Sequence, residues 1–150
     1  MSKTPEKPLT KWHCDVCGEL IENVKDGYVI WKPVEGYGFK IIHKVRCDQR
    51  DHLSSKALGE FLGTEGLTYL LSHLTDGPIQ QRMRRGSAQD LPNLDQFADF
   101  MRRVQVPFYE EARRLFGTQR VIDDFSDANE YMPYCSDRLE RMIKSQKDDE

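Results

Sequence analysis

"KWHCDVCGEL", residues 11–20, places two cysteines three positions apart, beside a histidine and directly before a glycine. What this pair does decides the kind of module the first third of the chain can form. Three chemistries share the pattern: half of a metal site, a redox dithiol, or two buried thiols acting as small apolar side chains. A C-x2-C step lets one tight turn aim both sulfurs at a single ion. Gly18 suits such a turn, because glycine enters left-handed backbone conformations at little cost. A redox pair of the thioredoxin type follows a strand and opens a helix. Here the pair precedes a glycine and a short β-type stretch, so the metal reading is the stronger one.

Outward from the pair, "GYVIWKPVEGYGFKII", residues 27–42, holds two runs rich in Val, Ile, Tyr, Trp and Phe around the turn residues "PVEGYG". This is the pattern of a β-hairpin. It would carry the chain out and back and deliver His43 and Cys47 to the first pair, as C-x2-C…x25…H-x3-C. Thiolate and imidazole donors suit zinc, and structural zinc sites close with four of them. The expected ligands of one structural zinc ion are therefore Cys14, Cys17, His43 and Cys47. Geometry makes this testable. In one continuous strand His43 and Cys47 would stand about 13 Å apart, at about 3.3 Å per residue. Bonds of about 2.0–2.3 Å to one zinc cannot span that gap. The strand must therefore end by about Ile42, and the chain must turn through "HKVRC". His52 is the alternative ligand, in a C-x4-H step after Cys47, and His13 is a weaker rival. His73, between leucines on a helical pattern, fits a core edge or the surface better than a metal.

"CDVCG", a hairpin and then a ligand pair resemble the treble-clef group of zinc fingers over residues 12–60. The group commonly sets its second pair at C-x2-C spacing at the start of a helix, and H-x3-C departs from that. The resemblance implies a metal-held scaffold and little about activity.

Beyond Asp48 the pattern turns helical. Ala57, Leu58, Phe61 and Leu62 recur at helical spacing with Gly63 as a stop, and Thr64 can cap a second helix carrying Leu67, Leu70, Leu71 and Leu74. "DGP", residues 76–78, ends it, and "IQQRMRRGSAQDLP" reads as irregular. A third helix is expected from about Asn93, with Leu94, Phe97, Ala98, Met101 and Val104 on one stripe. Pro107 suits the first turn of a fourth, "PFYEEARRLF", in which Glu110 lies four residues before Arg114 and Gly117 follows. Residues 124–135 are ambiguous, and a last helix starts at Ser136 or Asp137. The fold class is α+β: an N-terminal zinc-bound hairpin module on a mainly helical C-terminal part. The expected organisation is a flexible lead-in over 1–11, the zinc module over 12–52, a helical region over 53–145 and a charged tail over 146–150, together forming one compact unit.

Formal net charge is −3 over 150 residues, which argues against a strongly basic nucleic-acid binder. No apolar run approaches the roughly 20 residues of a membrane span, and the N-terminus has no signal-peptide core, so a cytoplasmic protein is expected. Cys135 stands apart among Tyr131, Met132 and Tyr134 and reads as a packing residue. No phosphate-binding glycine loop, G-x-S-x-G or H-E-x-x-H occurs. The pairs Glu110–Glu111 and Asp123–Asp124 read as solvated faces or caps. Arg82, Arg84 and Arg85 form the strongest basic cluster, with Lys44, Arg46 and Arg50 a second group, and either would be ordinary as solvated charge. Trp12, Trp31 and Tyr37 are expected in the core of the metal module, which has little else to bury.

The leading expectation is a protein–protein interaction or regulatory module held by structural zinc. A nucleic-acid-binding regulator using Arg82, Arg84 and Arg85 is the alternative. A small zinc hydrolase is a third, with no catalytic motif behind it.

Overall fold

A computed structural model describes residues 9–32, 37–48, 54–83 and 93–148. Within these the protein is α+β. The chain divides into two compact units, one spanning Thr10–Gln105 and the other built from Val106 onward.

The first unit opens with a minimal hairpin, β1 (Trp12–His13) and β2 (Leu20–Ile21), paired Trp12↔Ile21 and His13↔Leu20. A 3-10 turn at Val24–Asp26 follows, with the Asn23 side chain accepting from the Lys25 amide. Next come β3 (Gly27–Lys32) and β4 (Tyr37–His43), antiparallel from Gly27↔His43 to Lys32↔Tyr37, with a register irregularity between Ile30 and Lys32. The expected hairpin is therefore present, although its turn, 33–36, lies outside the described residues. A third strand, β5 (Ser54–Ala57), pairs with the other edge of β3, giving the order β4-β3-β5. β3 is thus central, and Val29, Ile30 and Trp31 are all buried in succession rather than alternately.

β5 corrects the helix expected from Ala57. Tyr28 pairs with Ala57, so the open edge of β3 claims this segment, and only Leu58–Phe61 coils, as a 3-10 turn that buries Leu58 and Phe61. The apolar spacing was real, but a tertiary hydrogen-bond ladder overrode the local preference. Gly63 does not stop a helix either. At φ +67° it makes the corner that opens α1 (Gly63–Leu71), and Thr64 lies inside that helix rather than capping it.

The buried face of α1 runs Gly66, Leu70 and on to His73 in the following turn, while Leu67, Leu71 and Leu74 are exposed. The expected leucine stripe is therefore rotated, because two of the three inward positions carry residues that hydropathy does not mark as core. Gly66 is there for space: a Cβ would strike the backbone of Phe61. His73 meets Trp31, Phe39, Tyr69 and Phe97 with ring centroids 5.1–5.9 Å away.

The segment expected to be irregular contains α2 (Gly77–Met83), with Pro78 at its start, where a missing amide costs nothing. α3 (Leu94–Gln105) begins as expected, Asn93 Oδ1 accepting from the Gln96 amide at 3.0 Å. Its buried stripe is Phe97, Phe100, Arg103 and Val104, and Leu94 is exposed. Phe100 defines this face by stacking on Phe39 at 4.7 Å. Trp12 and Trp31 are buried as expected.

In the second unit the single helix expected over 107–116 is broken in two. Phe108 adopts φ 68°, so Pro107 stays outside; α4 (Tyr109–Ala112) follows and passes into a 3-10 turn, Arg113–Leu115. Glu110 is 1% exposed, so it is not a solvated acid, and Arg113 Nε lies 3.9 Å from its carboxylate. α5 (Gln119–Asp124), a 3-10 turn at Met132–Tyr134 and α6 (Ser136–Asp148) complete the unit. Tyr109, Ala112, Leu139 and Met142 form its core. Cys135 is partly buried there, its thiol 3.7 Å from the Tyr131 carbonyl. No helix among the described residues is long and apolar enough to cross a membrane.

Candidate metal centre

Cys14 and Cys17 sit on the turn between β1 and β2. The Cys14 amide donates to the Glu19 carbonyl and the Gly18 amide to the Cys14 carbonyl, both at 2.9 Å. Gly18 takes φ +76°, the left-handed conformation its place after the second cysteine called for. The amides of Val16 and Cys17 point at Cys14 Sγ, at 3.4 and 3.5 Å. Burial alone would raise the Cys14 thiol. Those two amides, with His43, outweigh it and pull the thiol down to about 6. The Cys47 thiol is shifted up instead, first by burial and then by the neighbouring thiols.

The second pair arrives as the geometry required. β4 ends at His43, one residue beyond the expected limit, and 44–47 form a turn closed by a Cys47 N–H to His43 O bond of 3.4 Å. The turn cancels the separation that a continuous strand would impose. One donor atom from each of Cys14, Cys17, His43 and Cys47 then lies within 4.8 Å of every other, so the four residues are close enough to hold one metal ion. His43 Nδ1 is 3.4 Å from Cys17 Sγ and 3.5 Å from Cys47 Sγ. Tetrahedral bonds of about 2.3 Å to sulfur and about 2.05 Å to nitrogen set such an edge near 3.6 Å. The opposite ring nitrogen, Nε2, is 3.2 Å from the Leu20 carbonyl and can donate to it, which leaves the Nδ1 lone pair for a metal.

Around the four donors stand three further residues, Asp15, Arg46 and Arg103. Asp15, between the cysteines, joins the knuckle to the sheet edge: its amide donates to Ile41 O and its Oδ2 accepts from the Ile41 amide, both at 2.8 Å. Arg103 of α3, almost wholly buried, reaches the same Oδ2 at 2.7 Å and the His13 carbonyl at 3.1 Å. The Arg103 carbonyl accepts from Trp12 Nε1 at 2.9 Å. A helix some ninety positions away in sequence thus holds the chain at Trp12, His13 and Asp15, around the first cysteine. Arg46, in the turn between His43 and Cys47, lies 2.7 Å from Glu19 Oε2 and 3.3 Å from Cys17 Sγ, contacts that hold its guanidinium firmly charged. A sequence sign existed for Asp15 and Arg46, which lie within the two ligand pairs, but none for Arg103.

His52, Arg50, Arg84 and Arg85 lie outside the described residues. Arg82 is on the exposed face of α2, and His13, in β1, is not in the four-donor cluster. After Cys47 the next described element is the strand β5, so the helix that usually follows the second pair in treble-clef fingers does not appear among the described residues. Comparison of the chain with protein-family models, with curated proteins and with solved structures finds no match.

Proposed function

We propose that the centre binds one structural zinc ion through Cys14, Cys17, His43 and Cys47, and that the treble-clef-like module it holds serves binding to another protein. The observation that carries the metal reading is the four-donor cluster with His43 Nδ1 at tetrahedral-edge distance from two sulfurs. Three soft thiolates and an imidazole favour zinc over hard cations. Four protein donors fill a tetrahedron, which is the mark of a structural rather than a hydrolytic site. Three thiolates around a divalent ion leave one net negative charge, and the guanidinium of Arg46 sits where it offsets it. A protein partner is favoured over nucleic acid by the apolar stripe Leu67, Leu71 and Leu74, each 38–46% exposed at helical spacing, and by the overall negative charge.

Elemental analysis of the purified protein should return one zinc per chain, and Cys14→Ser should lose it. Cobalt substitution should give the intense absorption of a tetrahedral thiolate site. Zinc content unchanged by Cys14→Ser would remove the assignment. For the partner, cross-linking in the native cell should recover the same protein with wild type and lose it with Leu71→Asp while zinc content holds. Recovery unaffected by Leu71→Asp would remove that face from the reading.

A further inference from the structure

The unit from Val106 onward contains a cavity of about 240 Å³ between α5 and α6 that the metal centre does not involve. Its floor is apolar, formed by Leu115, Val121, Phe125 and Met142. Its rim carries three guanidiniums, Arg120 from α5 and Arg138 and Arg141 from α6, against one carboxylate, Asp124. Arg138 and Arg141 are three residues apart, hence on one face of α6, with Ser145 continuing that face. Arg120 reaches across to the Ser145 carbonyl at 3.4 Å, so both helices contribute cations to the lining of the cavity. Among the described residues the guanidiniums of Arg138 and Arg141 have no hydrogen-bond or ion-pair partner. The cavity continues past α5: Val121, Phe125 and Met142 also line a second hollow of about 310 Å³ with Phe116 and Tyr134. α5 contributes no fully buried residue, and its Val121 and Phe125 pack against the core of the unit while staying partly exposed to the cavity.

Two unpaired cations over an apolar hollow are complementary to a molecule with one anionic end and one apolar body. An anion there gains charge-assisted bonds from groups that give up no existing partner, and the body covers surface now wet. The forked guanidinium geometry suits carboxylate and phosphate alike. We propose that this cleft binds a small amphipathic anion, its carboxylate or phosphate held by Arg138 and Arg141 and its apolar part lying against Val121, Phe125 and Met142.

The test is a titration of the whole 150-residue chain, purified without chelator, with octanoate, octyl phosphate and octanol, followed by methyl NMR. Octanoate or octyl phosphate should shift the Val121 and Met142 methyl signals saturably, and the tighter of the two identifies the head group. Octanol should bind at least about tenfold more weakly, because it makes no charge-assisted bond. Arg138→Gln combined with Arg141→Gln should erase that difference while leaving octanol binding, which also shows that the variant is folded. Equal affinity for octanol and both anions in the wild type would overturn the proposal. So would no saturable shift, or shifts centred on exposed methyls such as Leu67 and Leu71.

Discussion

Arg103 ties the helix α3 to the chain around Cys14. Its guanidinium has left water to reach Asp15 Oδ2 and the His13 carbonyl, and Asp15 uses the same oxygen to hold the Ile41 amide. Removing the buried guanidinium takes the charge-assisted bond from a part-exposed carboxylate and leaves the His13 carbonyl without this donor, so Arg103→Met should cost about 1.5–3 kcal/mol by chemical denaturation. The double variant with Asp15→Asn should cost less than the sum of the two, since both act on one network. Additive losses would show that the bond contributes nothing of its own. His73 makes a second residue-scale prediction. Burial, with a smaller contribution from Lys56, pushes its pKa below the ordinary 6.5, so the folded state prefers the neutral ring and the unfolded chain takes up the proton first. Stability on this account is fully present above about pH 6.5 and falls as pH drops toward the folded-state value. His73→Phe should unfold with a shallower pH dependence between 6.5 and 5 than wild type, and acid effects on the metal centre should be common to both. Identical slopes would refute the assignment.

At the scale of elements, two glycines carry joints that their neighbours cannot. Gly66 presents its α-carbon to the backbone of Phe61, where α1 folds back on the preceding 3-10 turn. A methyl group has nowhere to go against backbone, so Gly66→Ala should destabilise by about 1–3 kcal/mol despite the helix propensity of alanine. Greater stability of this variant in a thermal melt would mean that the contact relaxes freely. Gly18 has open space around it, and its cost is conformational: Gly18→Ala should lose about 1–2 kcal/mol through the left-handed backbone alone. Gly18→Asn, which tolerates that region better, should recover part of the loss and of the zinc affinity. These elements were unevenly legible. The hairpin over 27–42 and the start of α3 at Asn93 were open to reading because turn residues and a capping side chain act locally. β5 was not, because Ser54–Ala57 is extended only in answer to the vacant edge of β3. The inward face of α1 was not, because a glycine and a histidine hold two of its positions.

At the scale of the whole molecule, the unit spanning Thr10–Gln105 closes on the four donors: the knuckle, the end of β4 and the last turn of α3 meet there. Removal of the proposed zinc should therefore loosen the sheet as well as the site, since a structural ion binds the assembled fold and not the unfolded chain. Chelation should raise amide hydrogen exchange along β3 and β4 by well over tenfold and leave α6 in the other compact unit much less affected. Uniform acceleration along the chain, or none in β3, would contradict this.

What the sequence determined alone was which four donors could meet. Two cysteines on a glycine-ended turn, a histidine and a cysteine four apart, and a hairpin between the pairs are local facts, and a shared ion would require the turn found after His43. What only the tertiary structure decided was how that centre is held. Arg103 and Asp15 meet across 88 positions of chain, and β5 is a strand because its partner is already in place. Local preferences are read within a few residues, whereas a buried ion pair and an added strand draw their energy from neighbours the chain must first fold to reach.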